Sequence, residues 1–389
     1  MAIENQNSLD LTAAADLDPP RAAYVHVPFC RHRCGYCNFS VLAGRDDLVD
    51  AYLSALQVEL SQLGQPRVVD TLFIGGGTPT HFDGHALTRF LTLVRDWFPR
   101  SDQATEFSVE ANPNDITPAK LDVLKAFGVD RISLGVQSFD ADKLKTLERT
   151  HSPDEARTAI QLAAETIGNV SIDLIFATPE ETPAAWRRDL RDAVALPLSH
   201  LSTYGLTFEK GTSFWNRLRK SDLAPIVEED QLEMFRDAIS IPAAAGLKHY
   251  EVSNHALPGR QCHHNMAYWR GVGWYAAGPG AASFVDGRRA VNHRSTTTYI
   301  KRLLQGKSPI AESEQLTNEQ LIRERVAFGL RMLDGIDLRD VGPLEVVDRL
   351  LNAKFQMLIE IGMLKRTGSQ VALTPQGLFV SDSVVSEIL

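Results

Sequence analysis

The chain has 389 residues, 44% of them hydrophobic and 23% charged, with a net charge of -9. That suits a globular protein large enough for one barrel-sized domain and a smaller second one. It excludes a bilayer-spanning helix, which needs roughly 20 apolar residues in a run, and a sequence-independent grip on nucleic acid, which rests on clustered Lys and Arg.

Residues 1–20 have neither a basic start nor an apolar core, so they read as a mobile tail and not a secretory signal. A cytoplasmic setting is expected. From residue 21 to about 290 one unit recurs: an apolar strand, a turn, then an amphipathic helix. Strands are predicted at 22–27, 69–75, 105–111, 131–137, 171–177 and 201–207, with helices at 48–63, 87–97, 118–127, 153–165 and 183–196. Thr117-Pro118 and Ser152-Pro153 supply N-cap and first-turn chemistry for two of them. Alternating strands and helices mean an α/β fold with a parallel sheet, here a partial (β/α) barrel. Over 291–389 the pattern changes to helices at 316–333 and 347–361, then a hairpin over 364–373 turning at Gly368. This reads as a small C-terminal winged-helix-like α+β module. Its 12 acidic against 8 basic residues over 311–389 argue for a structural or substrate-covering role and against DNA binding.

Three of the four cysteines fall in CRHRCGYC, directly after the first strand. A secreted disulfide framework would need more cysteines in a smaller domain. Thiolates of Cys30, Cys34 and Cys37 on one short loop can instead hold three irons of a [4Fe–4S] cluster. The fourth iron is then open to an external chelate, a role that the amino and carboxylate groups of S-adenosylmethionine (SAM) suit. An electron passed into the sulfonium would break a carbon–sulfur bond and release a 5′-deoxyadenosyl radical. A zinc site would need a fourth ligand. Cys262, His263 or His264 could supply one, but Cys30 would be left over and its spacing to Cys34 is wrong for a zinc knuckle.

The second strand ends in IGGGTPT, whose glycines let backbone approach a bound group and point N–H groups at it. Later strand ends carry Glu110, Gln137 and Asp173, with Arg149 beyond the fourth. Loops at the carboxyl ends of barrel strands form active sites, so their recurrence there marks one site.

Together YVHVPFCRHRCGYC, IGGGTPT, SVEANP, DRISLGVQSFD and SIDLIF resemble the radical SAM family of oxygen-independent coproporphyrinogen III oxidases and their heme-chaperone branch. The resemblance covers nearly all of the chain after residue 20. It implies a radical SAM barrel in which Tyr24, Gly76 and Glu110 contact the SAM on the cluster. Gly77, Thr78, Gln137, Arg149 and Asp173 would face a second SAM position, and Tyr36 would lie near adenine. The oxidase pattern has a further cysteine two residues after the third cluster cysteine, where this chain has Phe39, and a longer N-terminal extension than the 29 residues before Cys30. HNMAYW at 264–269 matches a motif tied to the chaperone branch and to heme, so His264 is a candidate heme ligand among covering aromatic faces; the alternative is a packing role for His264, Tyr268 and Trp269. Two departures from the family are Ala282, where a His is common, and Ala177, where a Gly is usual. The resemblance therefore implies a heme carrier that uses cluster and SAM, takes electrons from a donor, and delivers heme to a membrane-bound hemoprotein, which brings it peripherally to the membrane. The other implied activity is oxidative decarboxylation of coproporphyrinogen III to protoporphyrinogen IX.

Overall fold

The computed structural model describes residues 19–389, so the tail expected over 1–20 lies, up to residue 18, outside the described residues. Six strands run parallel at the centre: β1 (Ala22–Val27), β2 (Thr71–Gly76), β3 (Glu106–Ala111), β4 (Arg131–Gln137), β5 (Val170–Phe176) and β6 (His200–Gly205). They lie side by side in chain order, which is the consequence of a helix after each strand carrying the chain back along the sheet. Several of those helices start as the sequence dictates. Thr117, Ser152 and Thr182 each accept a backbone N–H of the first turn and are each followed by Pro, and Ser152 forms a full capping box with Glu155.

Side chains alternate across each strand, and here the two faces differ in kind. One face carries Val25, Ile74, Val109, Leu134, Ile172 and Leu201, all fully buried in the main apolar core beneath the helices. The other carries Tyr24 and His26; Thr71 and Phe73; Glu106, Ser108 and Glu110; Arg131 and Ser133; Ser171 and Asp173; His200 and Ser202. Apolar burial thus holds the helices on, while the concave inner face of the barrel is mostly polar.

The sheet extends at both edges. Beyond β6 lie antiparallel strands Asn254–Ala256 and Lys248–Glu251. Beyond β1 lies the parallel strand Trp274–Ala277, then antiparallel Ala282–Val285, Arg288–Asn292 and Ile310–Gln315. The outermost strands do not pair with each other, so the twelve strands form an open, partial barrel. The large sheet therefore runs on to Gln315, past the change of character near residue 290.

A second apolar core, around Val326, Leu351, Phe355 and Val371, belongs to helices Asn318–Gly329 and Leu344–Glu360 and a small antiparallel sheet. Leu364–Thr367 and Gln370–Leu373 form its hairpin, with Gly368 at φ +62° in the turn. This module is fastened to the edge strand through Val252 N–H to Arg331 O and Leu333 N–H to Tyr250 O. Arg331 also lies 4.7 Å over the Trp269 ring.

Candidate functional site

The cluster loop leaves the carboxyl end of β1 and is held there by its neighbours. Gly77 and Thr78 donate their N–H groups to Val27 O and Phe29 O, each at 2.7 Å, and Phe214 donates its N–H to Gly35 O. Gly76 donates to Glu110 Oε2 at 2.8 Å. The amides of Gly76, Gly77 and Thr78 thus all face the chain itself, which corrects the expectation that they point at a ligand. Two of its glycines are needed for close approach instead. At Gly76, φ is +101° and a Cβ would collide with the His26 ring. At Gly77 a Cβ would sit 2.6 Å from Phe29 O and 3.1 Å from Cys30 Sγ.

The three thiols sit together among polar donors. Cys30 Sγ lies 3.5 Å from Thr78 Oγ1, and Arg149 Nη1 donates to Cys34 Sγ at 3.3 Å. Arg149 also donates to Asn112 Oδ1 at 2.5 Å and Gly135 O at 2.7 Å. Tyr36 lies edge-on to Phe214 beside this group, 6.1 Å between ring centroids. Burial pushes the Cys30 thiol up to about 12, and burial also raises Cys37. Binding iron to these thiols therefore means expelling their protons, the ordinary coupling of metal affinity to pH.

Deeper in the barrel, burial and then the charge of Asp173 push Glu110 up to about 7, against the Gly76 N–H that favours its ionised form. Burial likewise raises Asp173, against hydrogen bonds from Ser202 and Ser133. Tyr24 OH meets His26 Nδ1 at 3.0 Å and its ring stacks on Phe73. Gln137 ends β4 at φ +67°, a non-glycine residue in the left-handed region, and its Oε1 is buried without a partner. Such local strain with an unspent acceptor is what a ligand contact would use. The structure thus brings Tyr24, Cys30, Cys34, Tyr36, Cys37, Gly76, Gly77, Thr78, Glu110, Gln137, Arg149 and Asp173 to one end of the barrel and its upper interior. The residues fit a cluster on the thiols with SAM beside it: a clustered thiol set, a cradle that only glycine allows, and an orphaned buried acceptor.

The turns after β4 and β5 rest on a buried ionic network. Lys143 Nζ donates to Glu181 Oε1 at 2.6 Å and Asp189 Oδ2 at 3.0 Å, 5.0 Å from the Trp186 ring centroid. Asp189 accepts from Ser138 Oγ and Phe139 N, and Glu181 from Thr178 N and Oγ1. Ser138 and Thr178 follow Gln137 and Ala177, so this network sets both strand ends. Ala177 itself stands at φ +61°, which accounts for the usual glycine there.

His264 lies elsewhere. Its helix, His263–Trp269, closes the amino-terminal end of the barrel. The ring is buried, stacked 5.2 Å from Phe73. Nδ1 meets Thr71 Oγ1 at 3.1 Å and Nε2 meets Tyr268 OH at 2.8 Å. Burial pushes it down to about 4, so it is neutral. Neither nitrogen is free for iron in this arrangement. Cys262 donates to Glu106 Oε1 at 3.2 Å, and His263 N–H to Glu106 Oε2 at 2.8 Å. Residues 262–264 are thus committed to the barrel floor, at the far end of the strands from Cys34 and Cys37, which removes the zinc alternative.

Sequence reasoning missed Asn112, which joins Arg149 to Thr78. The signal was a polar residue two positions after Glu110, immediately beyond the end of β3.

An open parallel barrel whose first strand empties into a three-cysteine loop defines a radical SAM protein, and the Radical SAM superfamily model matches residues 24–193, with the HemN C-terminal domain over 316–380. Superfamily membership implies a [4Fe–4S] cluster and SAM. The fold is that of the solved coproporphyrinogen III oxidase HemN from Escherichia coli, at a TM-score of 0.82 and 23% identity over 97% of this chain and 92% of that one. Heme chaperone HemW of Bacillus subtilis is 34% identical over 95% of this chain and 99% of its own length. HemW of Mycobacterium tuberculosis is 36% identical over 95% of each, and that of Escherichia coli K12 36% over 74% of this chain. The chain belongs to the heme chaperone HemW family. Among the described residues, no helix is long and apolar enough to cross a membrane.

Proposed function

We propose that this chain binds heme and hands it to a respiratory, membrane-bound hemoprotein, working from the cytoplasm with peripheral contact at the membrane. Full-length similarity to heme chaperones supports it. The observation in the chain itself that carries it is position 39. Phe39 stands two residues after Cys37, where the oxidase pattern has a further cysteine, and the residue is 63% exposed beside the three-cysteine loop. An exposed aromatic face there offers apolar cover for a planar ligand or a partner and no thiol.

Cys30, Cys34 and Cys37 would hold the cluster, and an external one-electron donor would reduce it. Tyr24, Gly76 and Glu110 would contact SAM, with Tyr36 against adenine. Gly77, Thr78, Gln137, Arg149 and Asp173 would line the adjoining position. When bound, cluster and SAM supply one-electron chemistry that drives or gates heme release. The chain's own residues hold the thiols in register, keep Glu110 and Asp173 out of bulk water, and shape a polar chamber for a charged ligand. His264 enters this reading as a floor residue, since both its nitrogens are engaged.

The test is heme titration of purified protein, followed by transfer to an apo-hemoprotein in membrane vesicles. Saturable uptake and membrane transfer are expected; weak, non-saturable uptake would refute the carrier reading. Formation of protoporphyrinogen IX from coproporphyrinogen III under anaerobic, reducing conditions with SAM would establish the oxidase activity in its place.

A further inference from the structure

We infer that Asn112 is a positioning residue that couples two cluster ligands through one side-chain amide; this rests on the reading that Cys30, Cys34 and Cys37 hold a cluster. Asn112 directly precedes the short turn Pro113–Asp115, a place where an Asn side chain ordinarily caps the following N–H groups. Here it makes no cap bond. Its Oδ1 accepts from Arg149 Nη2 at 2.5 Å and its Nδ2 donates to Thr78 Oγ1 at 2.6 Å. A guanidinium can only donate, so the amide orientation is chemically determined. Thr78 Oγ1 accepts from the amide, which leaves its O–H to point onward. Its neighbour is Cys30 Sγ at 3.5 Å, and Arg149 Nη1 reaches Cys34 Sγ at 3.3 Å.

Once iron is bound both sulfurs are thiolates and only accept. Thr78 then has to be the donor to Cys30 as Arg149 is to Cys34, and one amide orients both. Hydrogen bonds to ligand sulfur stabilise the more negative, reduced cluster and raise its potential. Asn112 thereby keeps hydrogen bonds on two of the three thiolates and the potential of the cluster raised, without touching either sulfur.

Wild-type protein, reconstituted anaerobically with iron and sulfide, is titrated by EPR-monitored potentiometry beside Asn112→Leu, Thr78→Val and Thr78→Ser. Asn112→Leu should move the couple to more negative potential by at least tenfold in oxidised-to-reduced ratio, which is about 59 mV for a one-electron couple. Thr78→Val should move it the same way by less, and Thr78→Ser should stay with wild type. Unshifted potentials in variants that load iron overturn the inference, because a merely structural residue would cost iron content or folding and leave the potential alone. Should Asn112→Leu fail to load, the Thr78 pair decides: Val shifted with Ser unshifted supports it, and both at the wild-type potential overturns it. A wild-type chain that takes up no iron overturns the cluster reading and this inference with it.

Discussion

Replacing Lys143 by Met removes the only cation from the buried network under the β4 and β5 turns. Met keeps most of the stem packed over Trp186, so the change isolates the charge. Before substitution one ammonium faces two carboxylates at 2.6 and 3.0 Å; afterwards Glu181 and Asp189 are buried with no cation between them. Breaking a buried ion pair on one side costs about 3–5 kcal/mol. Each carboxylate keeps two other donors, Ser138 and Phe139 on Asp189 and the N–H and hydroxyl of Thr178 on Glu181, which places the cost near the lower end, about 3 kcal/mol. Urea unfolding followed by tryptophan fluorescence measures it, with buried Trp186 as a local reporter. The triple variant Lys143→Met, Glu181→Gln, Asp189→Asn leaves no uncompensated charge and should recover much of the loss. A single variant within about 1 kcal/mol of wild type, or a triple variant worse than the single, would refute the reasoning.

Ala177→Gly should raise stability by about 1 kcal/mol, because the left-handed backbone at φ +61° burdens alanine and not glycine; a lower urea midpoint would contradict this. Cys34→Ala should abolish the iron–sulfur absorption of the reconstituted protein while circular dichroism stays that of wild type; full iron content in the variant would count against the cluster assignment. Heme uptake should survive His264→Gln wherever that variant folds, since the imidazole nitrogens are spent on Thr71 and Tyr268; selective loss of saturable binding would restore His264 as the ligand. His264 also carries a pH signature. Its folded pKa, about 4, lies below the ordinary 6.5, so the unfolded chain binds the proton first and stability falls as pH drops below 6.5 towards 4. By pH 5 that amounts to about 2 kcal/mol. The stability gap between wild type and His264→Phe should narrow by that much from pH 7.5 to 5, and a constant gap would show the ring is not held neutral.

The repeat of strand and helix was legible because each central strand buries one face under helices and ends where Gly, Pro or an N-cap begins the next element. β1 and β4 occur at the residues read from sequence, and β2, β3, β5 and β6 within two residues of them. The three-cysteine loop stood out for a different reason: three thiols within eight residues are a local pattern that needs no distant partner to be seen. The edge strands after residue 247 were not, being three to six residues long with mixed polarity. Their pairing partners are set by sheet position, which no local pattern encodes.

Local sequence thus determined which residues could carry the chemistry: Cys30, Cys34 and Cys37, with Glu110 and Gln137 at strand ends and Asp173 in the middle of β5. Only the tertiary structure decided how they are used. It turned the backbone amides of Gly76, Gly77 and Thr78 inward, gave Asn112 to Arg149 and Thr78, and sent HNMAYW to the barrel floor, where His264 is closed off by Thr71, 193 residues away in the chain. The physical reason is that a hydrogen bond or a buried charge is defined by both its partners, and a sequence names only one of them at a time.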